Sequence, residues 1–218
     1  MKLSAEQIAQ IKSWISKRGF THTDVQYEII DHVASAIEDK IDKDPDLTLE
    51  IAFKQVHKSF GVFGFQTIEE SIASKLNKDL RKFYGRAIKQ IFTSEKILIP
   101  FLFILSLISF HQSFPEYFKI FCQSIFIGST VGAMIYYFVQ YRQKKYIKNY
   151  LSFKMAIAII PNILVVLGNL SINFLKNIHP NYAVVIFSIL VIVIYAVILG
   201  TNQMIEKTEK LHKLYKSN

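Results

Sequence analysis

Cysteine is almost missing from this chain. Its 218 residues carry one, Cys122, which lies inside an apolar run, so neither an intramolecular disulfide nor a cysteine-based zinc site is available. The phosphate-cradling P-loop, a GxGxxG turn after a strand, the Gly-x-Ser-x-Gly elbow and a prenylation box are all absent. Gly128, Ser129 and Thr130 lack a base at useful spacing. The start, MKLSAEQIAQIKSW, has no apolar core of signal-peptide length after its first lysine, so the amino terminus is expected to stay cytoplasmic. These absences predict a protein that is not an enzyme and has no cofactor.

Formal charge is missing as well, from four long stretches: Ile97 to Phe114, Ile120 to Tyr141, Met155 to Leu175 and Tyr182 to Met204. Each is long enough to cross, as a helix, a hydrocarbon core about 30 Å thick. With 51% hydrophobic residues and a mean hydropathy of +0.25, the chain is too apolar for an ordinary soluble domain. The apolar excess falls after Ile97. The breaks between stretches set the threading. Seven basic residues lie in the segment Lys75 to Lys96 just before the first, and Arg142, Lys144, Lys145, Lys148 and Lys154 fill the break between the second and third. Lys207, Lys210, Lys213 and Lys216 follow the last, whereas the other two breaks hold only Lys119 and Lys176. The positive-inside rule then predicts a multi-pass inner-membrane protein with both termini in the cytoplasm and two antiparallel hairpins. The bilayer is its first expected partner. Direct nucleic-acid binding is not expected, because the basic residues flank apolar spans rather than covering a binding module.

The first third reads as soluble helices. Ser4 with Gln7 has capping-box spacing ahead of Ile8, Ile11, Trp14 and Ile15. Asp24 is placed to cap a second helix with Val25, Ile29, Ile30, Val33, Ile37 and Ile41 on one face, and Thr48 to cap a third that buries Leu49, Ala52, Phe53 and Val56. A fourth begins near Thr67 and carries Lys78, Arg81, Lys82, Arg86 and Lys89 beside an apolar face, with a break or bend expected at Gly85. Charge is divided unevenly here. From Asp24 to Glu50 nine carboxylates stand against Lys40 and Lys43, a net of −7, while Lys75 to Lys96 is net +5. The acidic second helix, through Glu38, Asp39 and Asp42, is the expected docking face for a protein partner. The five basic residues of the fourth helix are expected at lipid headgroups, as a fixed topology signal or as a switch between headgroups and the acidic domain.

The run EIIDHVASAIEDK, Glu28 to Lys40, followed by TLEIAFKQVHKSFG, Thr48 to Gly61, resembles the small helical HAAS domain found at the amino terminus of many bacterial membrane proteins. Thr48, Glu50, Ala52, Phe60 and Gly61 match its pattern in order; the aromatic Phe63, Gly64, Phe65 after Gly61 departs from it. The resemblance covers about the first third of the chain. It implies regulation through protein docking, with a transcriptional regulator or a membrane signalling or permease component as partner.

Three polar patterns complete the reading. Ser124, Gly128 and Gly132 repeat every four residues, the small-residue face that lets membrane helices pack closely. Asn162, Asn169 and Asn173 fall within about 40° on a helical wheel, which suits interhelical hydrogen bonds that fix the bundle or a homodimer or, as the alternative, the path of a small transporter or channel component. Glu28 and His32, with Asp31 and His57, have the residue types of a metal site but not its spacing logic; structural use is expected. The overall expectation is an all-α protein: a helical domain over 1–74, a basic connector over 75–96, a four-helix membrane bundle over 97–206 and a basic tail over 207–218.

Overall fold

The computed structural model describes residues 2–159, 162 and 180–217, and every regular element among them is helical. The chain forms two compact units. One comprises Met1–Lys78 with Asn149–Ser152, the other Asp79–Lys148 with Phe153–Asn218.

In the first unit, α1 (Ala5–Lys17) opens on a reciprocal capping box. The Gln7 N–H donates to Ser4 Oγ at 3.2 Å, and the Ser4 N–H to Gln7 Oε1 at 2.7 Å. Gly19, at φ 96°, takes the left-handed conformation that ends it. α2 (Thr23–Lys43) presents Val25, Ile29, Ile30, Val33, Ile37 and Ile41 to the core, as their helical spacing requires. α3 (Leu49–Ser59) starts where the Ile51 N–H donates to Thr48 Oγ1 at 3.4 Å and buries Ala52, Phe53 and Val56. Each fully buried Ile or Phe contributes about 1.5–3 kcal/mol. Phe65 closes this core at 1% exposure, ringed by Phe20, Phe53, His57 and Phe60 at 4.8–6.1 Å between centroids. The Phe63, Gly64, Phe65 departure is therefore a wedge: Gly64 at φ 53° turns the chain, Phe63 stays outside and Phe65 goes in.

α4 (Gln66–Thr93) runs unbroken through Gly85, against the break expected there. A mid-helix glycine costs about 1 kcal/mol, and burial of the nearby Ala87 and Ile91 offsets it. Ile68 and Ile72, early in the helix, join the first unit's core. The helix stops where Thr93 and Ser94 turn their hydroxyls onto the Lys89 and Gln90 carbonyls, a competition that weakens continuation.

The second unit adds α5 (Leu98–Ser113), α6 (Phe118–Gln143) and α8 (Pro180–Ser217); the intervening α7 is described over residues 151–159. Leu107, Phe118, Cys122, Ala183 and Phe187 form one buried cluster, so α5, α6 and α8 share a core. Across the α5–α6 turn the Phe110 and Phe121 rings stack at 3.8 Å between centroids. A second cluster sets Ala87 and Ile91 of α4 against Ala196 of α8. Among the described residues one segment, Tyr182–Lys216, is by itself long and apolar enough to cross a membrane; α4 and α5, bent by 71° at their break, meet the same test together.

Candidate functional site

Two constellations stand out, one in each unit. The first is built on Asp24. The sequence suggests this residue as the cap of α2, but that position belongs to His22, which makes no side-chain capping bond. Asp24 sits two residues further in, buried, and its carboxylate accepts from three backbone groups: Val25 N–H at 3.2 Å, Leu151 N–H at 2.8 Å and Ser152 N–H at 2.9 Å. The last two are the opening amides of α7, the orphan donors that every helix start leaves. The Thr23 N–H completes the join by donating to the Asn149 carbonyl at 3.0 Å. Leu151 packs on the first unit's core, and Tyr150 is buried with it. A carboxylate on a helix N-terminus is favoured twice, by hydrogen bonding and by the helix dipole.

The second constellation gathers polar side chains of α4, the segment after α6 and the end of α8. Lys207 Nζ donates to Asp79 Oδ2. Glu209 Oε1 accepts from Lys144 Nζ and from the Tyr146 hydroxyl, both at 2.6 Å. Burial pushes the Glu209 carboxyl up, but the hydrogen bonds from Lys144 and Tyr146, with the charges of Lys144 and Lys213, outweigh it and leave its pKa below the ordinary value. Nearby, α4 and α8 approach so closely that a Cβ built on Gly200 would lie 2.3 Å from the Tyr84 ring. The hydroxyl oxygens of Tyr84, Tyr137 and Thr201 are buried in this unit.

The residues singled out from the sequence have varied fates. Glu38 is half-buried and accepts from the Leu3 N–H at 2.9 Å, so it holds the amino-terminal segment; Asp39 and Asp42 are exposed on the same helix. Lys78, Arg81, Lys82, Arg86 and Lys89 are all exposed. Ser124, Gly128 and Gly132 are exposed on α6, with nothing within 4 Å of a Cβ added at either glycine. The close approach falls at Gly200 instead, four residues after the buried Ala196, and that spacing was the available signal. Asn162 donates to the Ala158 carbonyl at 3.0 Å; Asn169 and Asn173 lie outside the described residues. His32 and Glu28 are 3.9 Å apart and exposed, and His57 is packed between Phe53 and Phe65. Among the described residues no three His, Cys, Asp or Glu side chains are placed to share a metal ion. Sequence reading missed the role of Asp24, because its partners are 127 and 128 residues away.

No family model, no curated protein and no solved structure matches this chain.

Proposed function

We propose that this is a non-enzymatic, multi-pass inner-membrane protein with a regulatory or scaffolding role, whose amino-terminal helical unit docks a cytoplasmic or membrane protein. The observation that carries the reading is the inclusion of Asn149–Ser152 in that unit. The segment leads directly into the third apolar stretch, and Asp24 holds its amides. A HAAS-like docking module is thereby fastened at two points of the chain, its own carboxyl end and the start of α7. Partner binding that disturbs α2 would act on the residues that set where α7 begins.

Threading as two hairpins draws support from chemistry at three places. Asp79 meets Lys207, and Glu209 meets Lys144 and Tyr146. These contacts support the reading in which the connector, the second break and the tail share one side of the membrane, with an even number of crossings between each pair. The helices between these points expose large apolar side chains, among them Leu98, Phe101 and Leu102 on α5 and Ile127, Ile135 and Phe138 on α6. Such faces in water would be aggregation-prone; in lipid they need no cover. α5, at 16 residues and about 24 Å, is short for a bilayer core and calls for local thinning.

The docking face is tested by in-membrane cross-linking of the full chain with and without Asp39→Lys and Asp42→Lys, leaving Glu38 to hold Leu3. Loss of the cross-linked partner is expected, and an unchanged partner set counts against this face.

A further inference from the structure

Beyond the docking role, a groove of about 590 Å³ runs between α4 and the end of α8, lined by Phe83, Arg86 and Lys89 on one side and Glu206, Lys207 and Lys210 on the other. Four of these six are cations contributed by segments more than 100 residues apart in the chain. Arg86, Lys89 and Lys210 have no ion-pair partner among the described residues, while Lys207 is engaged by Asp79. The Arg86 guanidinium lies 4.7 Å from the Phe83 ring centroid, which fixes its position at little entropic cost. A partly ordered cluster in which cations outnumber the one lining carboxylate, Glu206, suits a phosphate group, whose oxygens accept several charged donors at once.

We infer that this groove binds the phosphodiester of an anionic, hydroxyl-bearing phospholipid headgroup. The inference rests on the membrane reading above. Thr93, in the groove lining, precedes the first apolar stretch by four residues, and Gln203 is the penultimate residue of the last one. The groove therefore falls at headgroup depth on the basic side. Glu206, with Gln90 and Gln203 in the lining, supplies acceptors for headgroup hydroxyls. The sharpened claim is a defined site rather than a diffuse basic surface: Lys78, Arg81 and Lys82 are exposed on the same α4 but do not line the groove.

The test uses the full chain in phosphatidylcholine nanodiscs, titrated with short-chain phosphatidylglycerol, short-chain phosphatidylcholine or inorganic phosphate and read by native mass spectrometry. Arg86→Gln/Lys89→Gln/Lys210→Gln should weaken phosphatidylglycerol binding about tenfold or more. Lys78→Gln/Arg81→Gln/Lys82→Gln, with the same loss of charge, should change it less than about twofold. Equal losses in the two variants, or no preference for phosphatidylglycerol over phosphatidylcholine, overturn the site. Groove-dependent binding of inorganic phosphate without lipid preference also overturns the lipid assignment and makes the ligand a soluble phosphate. If the triple variant does not fold, Lys210→Gln alone decides, with an expected loss of about fivefold and an unchanged affinity counting against the site. Retention of the wild-type chain in alkaline-washed membranes reports the membrane reading separately: release of the protein would fail that reading and with it the lipid assignment, whereas retained protein with equal losses in the two variants fails the groove alone.

Discussion

The Asp24 carboxylate receives the Leu151 and Ser152 N–H groups, one on each oxygen, at 2.8 and 2.9 Å. Removing it leaves two helix-opening donors without their acceptor in a buried place, which costs about 1–3 kcal/mol. Asp24→Ala should therefore lower the thermal midpoint of the full chain and speed amide exchange at Leu151 and Ser152. Asp24→Asn, which keeps one oxygen acceptor, should lose roughly half as much. Unchanged exchange at both amides would show that Asp24 does not clamp the start of α7.

Gly200 and Gly128 offer a paired test of where helices meet. Alanine at 200 has to displace the Tyr84 ring, and the Tyr84 backbone nitrogen is only 3.2 Å from the new Cβ. Overpacking of this kind costs about 1–3 kcal/mol, and Tyr84→Ala in the same chain should restore part of it. Gly128→Ala meets open space and should change stability by less than about 0.5 kcal/mol in either direction. Equal effects at the two glycines would contradict the assignment of the contact to α4 and α8.

Mild acid should weaken the first unit through His57. Burial, and next the Arg18 charge, hold its pKa below the ordinary 6.5. The folded state thus resists a proton that the unfolded chain accepts. The contribution is fully present above about 6.5 and is lost as pH falls through the lowered folded value. His57→Gln should flatten the fall in stability between roughly pH 7 and pH 5, whatever it does to stability at neutral pH, and an unaltered slope would exclude His57 as its source.

Glu209 predicts a second, more acidic loss. Its pKa is lowered, despite burial, by Lys144, Tyr146 and Lys213, so the stability it contributes is present above the ordinary 4.5 and disappears as pH falls through the lowered value. Glu209→Gln should remove that part of the acid sensitivity of the second unit. Amide exchange at the end of α8 measures it, and identical acid profiles for variant and wild type would rule the contact out.

Local pattern carried much of this architecture. Ser4 with Gln7 and Thr48 marked two helix starts, and the spacing from Val25 to Ile41 identified the core face of α2, because caps and helical periodicity act within a few residues. Asp24 misled for the same reason: its position suited a cap, and nothing local shows that a buried carboxylate will find amides 127 residues on. Gly85 shows the tertiary override, since a breaker in sequence is tolerated where Ala87 and Ile91 are packed. The basic groove was half legible. Arg86 and Lys89 could be read as an exposed basic face, but the tail lysines served only to orient the chain, although Gln203, Lys207 and Lys210 recur at helical spacing and share one face of α8.

On the proposed topology, the amino-terminal unit, the segment before α7 and the end of α8 all face the cytoplasm. With Cys122 replaced by serine, single cysteines at Glu116, Lys145 and Lys210 can be challenged with a membrane-impermeant maleimide in intact cells and again after permeabilisation. Labelling of position 116 is expected in intact cells, and of positions 145 and 210 only after permeabilisation. Labelling of position 145 from outside would contradict that topology.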